Sequence, residues 1–151
     1  MSGERVFLDT NILVYAHDAD AGRKHECAAS LVAALWQTPD SACLSVQVLQ
    51  EFYVNVVRKG VSASEARAAV EDYLSWPVVE NDIQLLRDAM VVRERWQLSL
   101  RDALIIAAAQ RARVAVIYSE DLSDGQDYGG VVVRNPFAAN SSSRTPPKPA
   151  E

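Results

Sequence analysis

Arg5-Val6-Phe7-Leu8-Asp9-Thr10-Asn11 is an apolar run that stops on an acid. Residues 5–8 read as a short buried strand. Aspartate is a poor strand residue, so Asp9 closes the strand. Asn11 to His17 then reads as one or two turns of helix, with Ile12, Leu13 and Tyr15 as packing residues. A strand, an acid and a helix in that order make the unit from which the rest of the chain is read.

The unit recurs. After a loop at Asp18 to Gly22, Cys27, Leu31, Ala34 and Leu35 mark a helix over Arg23 to Trp36, which Thr38-Pro39-Asp40 stops. Ala42 to Leu44 is a second strand. Ser45 caps the next helix, Val46 to Lys59, whose buried stripe is expected to be Leu49, Phe52, Tyr53 and Val56, with Gly60 as its stop. Ser62 and Glu65 form a capping box for a helix ending near Trp76-Pro77. Val78-Val79 is a brief strand, and Asn81 or Asp82 caps a helix to about Trp96. Ser99 and Asp102 open a helix rich in Ala and Ile that ends near Arg111. Val114 to Tyr118 is a strongly apolar strand, Gly129-Gly130 breaks the chain, and Val131 to Val133 is the last strand. Strands separated by helices predict an α/β fold with a mostly parallel sheet covered on both faces.

The chain has 151 residues, 49% of them hydrophobic, which fits one globular domain over 1–137. Residues 138–151 form a Ser/Pro-rich tail without an apolar anchor and are expected to be disordered. A net charge of −5 argues against binding nucleic acid through a broad basic surface. It leaves room for a nuclease in which cations sit between the protein's carboxylates and phosphate. Cys27 and Cys43 stand in no C-x-x-C pair or His/Cys cluster, so reduced thiols are expected rather than zinc. No stretch approaches the roughly 20 apolar residues that span a bilayer, and no signal-peptide core precedes the first strand. A cytoplasmic protein is expected.

Ligand sites of parallel sheets lie beyond the carboxyl ends of the strands. Asp9 and Asp121 occupy such ends. Glu51 shares a helix face with Gln47, Asn55 and Arg58, which is either a solvated face or one turned to a cleft. Asp102 completes a capping box, but the helix behind it is apolar all round, so its mouth should open into a cleft. Asp9 could equally be a helix cap, and Asp121 one acid of a polar loop with Glu120, Asp124 and Asp127. Converging carboxylates require cations or protonation. All-oxygen ligands select Mg2+ or Mn2+, which bind a scissile phosphate and acidify water. His17 and His25 are expected on the surface, and there is no Ser-His-Asp set, Cys-His pair or glycine-rich phosphate loop. An aspartyl-phosphate enzyme is disfavoured because Thr10-Asn11, and not a second aspartate, follows Asp9. Candidate phosphate contacts are Arg23, Lys24, Arg58, Lys59, Arg93 and Arg101.

Phe-Leu-Asp9-Thr-Asn11, Gln-Glu51-Phe, Leu-Arg-Asp102-Ala-Leu-Ile and Tyr-Ser119-Glu-Asp121-Leu, in that order, resemble the PIN-domain family, as does the ending Asn135-Pro136-Phe137. The resemblance covers Val6 to Phe137. It implies a Rossmann-like α/β/α sandwich and a Mg2+- or Mn2+-dependent endoribonuclease. By position it makes Asp9, Glu51, Asp102 and Asp121 the catalytic, metal-binding quartet, with Glu120 or Asp124 as substitutes for Asp121. Asn11 and Ser119 would orient the ligands through hydrogen bonds. Many single-domain members of this size are VapC-like toxins that cleave RNA, are blocked by a small antitoxin protein and act as homodimers. The apolar content of the helices from Arg23 and Val46 would permit a dimer. The alternative is a non-catalytic PIN-like module that binds RNA or a protein.

Overall fold

The computed structural model describes residues 4–138; all but the first residue of the expected disordered tail, 138–151, lies outside them. Strand β1 is Val6–Leu8, and Asp9 caps α1, Thr10–Ala16. A 3-10 turn at Ala19–Ala21 leads into α2, Arg23–Gln37. Strand β2, Ala42–Ser45, runs straight into α3, Val46–Arg58, with the Ser45 hydroxyl accepting from the Val48 N–H. Helix α4, Ala63–Tyr73, is capped by Ser62, and β3 is Val78–Val79. Helix α5, Ile83–Trp96, is capped by Asp82, and α6, Leu100–Arg111, by Ser99. Strands β4, Val116–Tyr118, β5, Asp127–Tyr128, and β6, Val131–Arg134, complete the sheet.

The strand order is β3-β2-β1-β4-β6-β5. All neighbours are parallel except β5 and β6. The chain steps outward from β1 to β3, then returns through α5 and α6 to β4 on the other side of β1. Right-handed crossovers in opposite directions put the two sets of helices on opposite faces. The main packing follows that division: α1 meets α2 and α3, α3 meets α4, and α5 meets α6. The result is the expected α/β sandwich with a mostly parallel sheet. The order reverses between β1 and β4, and the crevice beyond their carboxyl ends is where such sheets bind ligands.

The core fills from both faces, with Phe7, Leu8, Ile117 and Val133 of the sheet fully buried. Helix α6 is buried nearly all round, through Ala103, Ile105, Ile106, Ala107, Ala108 and Ala109. Two helical stripes are rotated from expectation. In α2, Ala28 and Val32 are buried, Leu31 and Leu35 pack at the margin, and Ala34 is exposed. The small Ala28 lies in the core, where α2 meets α1. In α3, Val48 joins Leu49, Phe52 and Val56 in the core, and Tyr53 stays exposed. Helix α4 stops at Tyr73, and a turn then carries the chain to Pro77, which disfavours helix in the residue before it.

Strand β4 starts two residues later than expected because Arg113 and Val114 terminate α6. The Val114 N–H donates to the Ala109 carbonyl at 3.3 Å and the Arg113 N–H to Gln110 at 3.0 Å. With Arg113 at φ +59, this is the paired closure that usually employs glycine. The short β5 was not foreseen. It pairs with β6 across the two-residue turn Gly129-Gly130, at φ +63 and +100. Two positive φ angles in a row suit the twist of a tight hairpin.

Candidate active site

Asp9 ends β1 and caps α1, so its position is fixed from both sides. Its N–H donates to the Tyr118 carbonyl of β4 at 2.9 Å. Its Oδ1 accepts from the Thr10 N–H at 2.7 Å, and its Oδ2 from the Ser119 hydroxyl at 2.7 Å. The residue is fully buried. Ser119 follows β4, and its oxygen also accepts the N–H groups of Asp121 and Leu122 at 3.1 and 3.2 Å. One hydroxyl thus folds the loop after β4 and fastens it to the acid after β1.

The polar face of α3 does turn to a cleft. Glu51 Oε1 accepts from the Thr10 hydroxyl at 2.6 Å, and Gln47 Nε2 donates to Glu51 Oε2 at 3.3 Å and to the Arg101 carbonyl at 3.2 Å. Asn55 Nδ2 returns to the Glu51 carbonyl at 2.8 Å. Arg58 is exposed, and Lys59 takes its place in the cleft wall. The Asp102 N–H donates to the Ser99 cap at 3.1 Å, which places the carboxylate on the first turn of the buried α6.

Arg101 joins these acids. Its Nη2 donates to Asp9 Oδ1 at 3.0 Å, Glu51 Oε1 at 2.5 Å and Thr10 Oγ1 at 3.2 Å. Its Nη1 donates to Asp102 Oδ1 at 3.0 Å, and its Nε to Glu51 Oε2 at 3.1 Å. Three carboxylates from three elements therefore share one guanidinium. Among the described residues, no three carboxylates, imidazoles or thiols are grouped tightly enough to hold a metal ion in this arrangement. The donor set nevertheless fits one in kind. It is all oxygen, suited to Mg2+ or Mn2+, and it already surrounds a cation.

Burial pushes the Asp9 carboxyl above the usual carboxylate range, against the opposing pull of Arg101 and of the Ser119 and Thr10 hydrogen bonds. Burial also opposes ionisation of Glu51, but the hydrogen bonds from Arg101 and Thr10 outweigh it, and Glu51 is held below its ordinary value. Desolvation works against the Arg101 charge, and its carboxylate partners, Glu51 first, raise its pKa overall. The site is thus a buried acid in need of a cation beside a glutamate kept ionised by one.

Asp121 lines the same cleft but is held by Asn11 and not by the guanidinium. Its Oδ2 accepts from Asn11 Nδ2 at 3.2 Å, while Asn11 Oδ1 accepts the Glu120 N–H at 3.2 Å. Glu120 is taken up by Lys24 and by the Tyr15 hydroxyl, and Asp124 by the Asn135 N–H at 2.9 Å. Neither lines the cleft, which measures about 690 Å3 and is bordered by Thr10, Asn11, Glu51, Asn55, Lys59, Arg101, Asp102 and Asp121. Of the candidate phosphate contacts, Lys59 and Arg101 reach it, whereas Arg23 and Lys24 line a separate pocket with Cys27 and Phe137.

Sequence reasoning missed the parts of Thr10 and Gln47, and named Arg101 only as a phosphate contact. A threonine after an N-cap and an arginine before an aspartate carry no signal of their own, since most such groups are solvated. His17 is exposed as expected, yet its Nε2 lies 2.8 Å from the Tyr73 hydroxyl and its ring meets Phe52. Both cysteines are free, and burial raises the Cys43 thiol to about 11, so it is inert at neutral pH.

Ser119→Ala removes the bond to Asp9 and leaves two loop N–H groups without their acceptor. Stability should fall by about 1–3 kcal/mol, the cost of unsatisfied buried groups, measured as a shift of the urea midpoint. An unchanged midpoint would mean that the loop after β4 is held elsewhere.

The comparisons with known proteins bear on the fold that carries this site. No curated protein matches the chain by sequence. Among solved structures, it is similar to the sarcin-ricin-loop-cleaving toxin VapC20 of Mycobacterium tuberculosis, with TM-score 0.59 and 23% identity over 77% of this chain and 89% of that one. It is also similar to a chain of a toxin–antitoxin complex from Klebsiella pneumoniae, with TM-score 0.64 and 24% identity over 87% and 97% of the two chains. A chain of the DNA-bound VapBC complex of Salmonella typhimurium gives 0.62 and 18% over 89% and 99%. At these identities the likeness is one of fold. The model of the PIN domain matches residues 6–123, which takes in all four acids, the strands β1 to β4 and the cleft between them. The chain belongs to the PIN-domain family.

Proposed function

We propose that this protein is a Mg2+- or Mn2+-dependent endoribonuclease, the toxin of a toxin–antitoxin pair. The observation that carries this reading is the convergence of Asp9, Glu51 and Asp102 on one cation, at the point where the strand order reverses, with Asp121 lining the same cleft. Three acids lining one cleft, with the buried Asp9 bound to the same guanidinium, are costly unless cations hold them there.

Asp9 and Asp102 would be the principal metal ligands, with Glu51 and Asp121 completing the set. When bound, such an ion supplies positive charge to the scissile phosphate and eases proton loss from water. The chain's own groups do the rest. Asn11 and Ser119 hold Asp121 and Asp9 in place. Thr10 and Gln47 orient Glu51, whose ionised carboxylate can accept a hydrogen bond from the attacking water. Lys59 and Asn55 offer donors along the cleft wall to the RNA backbone. An open cleft of this size suits single-stranded or looped RNA better than a duplex.

A protein partner has a surface to meet. Trp36, 42% exposed, packs against Tyr73 and Trp76 in an apolar groove between α2 and α4. Similar proteins have been crystallised in toxin–antitoxin complexes, and a small antitoxin is the partner proposed here. The exposed apolar residues Tyr53, Val54 and Leu74 on α3 and after α4 suit a homodimer. Among the described residues no helix is long and apolar enough to cross a membrane. A toxin that cuts cellular RNA acts in the cytoplasm.

Calorimetric titration with Mn2+ separates the nuclease from a non-catalytic module. Wild-type protein should bind the ion, and Asp9→Asn should weaken binding by more than about 100-fold, since even groups that only orient a ligand are worth 10–100-fold. Absence of Mn2+ binding by pure wild-type protein would favour the non-catalytic module.

A further inference from the structure

We propose that Arg101 is the resident counter-ion of the acidic cluster and that its guanidinium must leave its seat before a divalent cation can reach Asp9. The proposal rests on the metal-dependent reading above and adds the step that admits the ion.

The first ground is the environment of Asp9. Both of its oxygens are occupied, Oδ1 by the Thr10 N–H and Arg101, Oδ2 by Ser119. The Thr10 amide is the first of α1 and cannot turn away without unwinding that turn. The Ser119 hydroxyl is fully buried and committed to two further N–H groups. Arg101 alone is both flexible and accessible, with a side chain 33% exposed at the cleft. The route to Asp9 therefore runs through the place of the guanidinium.

The second ground is mutual exclusion. Arg101 uses Nε, Nη1 and Nη2 on Glu51, Asp102 and Asp9. These oxygens are spread around a planar fork, at hydrogen-bond distances. Mg2+ requires its oxygens at about 2.0–2.1 Å in near-octahedral order. One set of carboxylate oxygens cannot satisfy both cations. The third ground is charge. A single guanidinium balances one of the three carboxylates it touches, so the cluster keeps a net negative charge that favours exchange for a dication.

The experiment joins Mn2+ calorimetry on full-length wild type, Arg101→Met and Arg101→Lys to side-chain NMR of the wild type with diamagnetic Mg2+. If the guanidinium is seated about 90% of the time, its removal raises apparent affinity roughly tenfold. Arg101→Met should therefore bind Mn2+ at least that much more tightly. Arg101→Lys should fall between, because an ammonium keeps the charge without the fork. In the wild type, the Arg101 Nε–H signal should be protected from exchange in metal-free protein and lose protection as Mg2+ saturates.

An Nε–H that stays protected at saturating Mg2+ overturns the proposal and leaves the metal reading standing. Arg101→Met binding no more tightly than wild type has the same consequence. Arg101→Lys at wild-type affinity would reduce the effect to charge alone and would also overturn displacement. If neither wild type nor variant binds Mn2+, the metal-dependent reading fails and takes this proposal with it. Should Arg101→Met not fold, the NMR of the wild type decides by itself.

Discussion

Asp102→Asn will fold as the wild type does and lose RNA cleavage by more than about 100-fold, because groups that merely support a metal ligand already contribute 10–100-fold. Asp102 sits on the first turn of α6, and the Ser99 hydroxyl caps that turn by accepting the Asp102 N–H, a backbone contact that asparagine keeps. The side chain contributes one ion pair, to Arg101, and that arginine retains Asp9 and Glu51. The loss in stability should stay within about 1 kcal/mol, as for a solvent-accessible pair. What asparagine cannot replace is an anionic oxygen for a dication. Cleavage of a defined RNA with Mn2+, followed by gel, together with the thermal midpoint, tests both halves. Full activity would remove Asp102 from the site. Lost activity with a large drop in midpoint would make it a structural residue.

Phe52→Ala will cost about 3–5 kcal/mol, the usual price of emptying a buried aromatic site. Phe52 is fully buried in α3, edge-on to Tyr73 at 5.7 Å and in ring contact with His17 at 5.0 Å. Its ring neighbours are the residue that ends α1 and the last residue of α4, so the cavity would lie where three helices meet. Against a typical total of about 5–15 kcal/mol, such a loss leaves a markedly destabilised protein. The same ring sets the rotation of α3. With Phe52 turned inward, the adjacent Glu51 falls on the edge that faces the cleft, so activity should fall along with stability. Urea unfolding measures the first effect. A change below about 1 kcal/mol would place the residue at a site that collapses freely, contrary to the spread seen for buried aromatics.

The elements of the fold were legible where local chemistry decides them. Ser45, Ser62 and Ser99 announce helix starts and cap as a polar residue before an apolar run should, and of Asn81 and Asp82 it is Asp82 that caps α5. Strand β5 was not legible: two residues carry no periodicity, and the Gly129-Gly130 pair reads equally as a break or a hairpin. The stripe of α2 was misplaced because tertiary packing selects Ala28 and Val32 over the larger Leu31 and Leu35.

The site was half legible. Acids at the ends of β1 and β4 are visible because aspartate is out of place after an apolar run. Glu51 and Asp102 gained meaning only from their helices, one polar on a single face and the other apolar all round. That Asp121 lines the cleft while Glu120 and Asp124 do not lay beyond sequence, since Lys24 and Asn135, the partners that occupy the other two, are remote in the chain. So did the place of Arg101, where a side chain that looks solvated is the hub of the cluster.

The most direct measurement is the incubation of pure wild-type protein, free of any partner, with total cellular RNA and Mn2+ or Mg2+, alongside an EDTA control. The account predicts discrete cleavage products that vanish when the metal is chelated, and mapped ends that share a sequence or loop context. Intact RNA, from protein demonstrated to bind Mn2+, or cleavage that persists in EDTA, would contradict it.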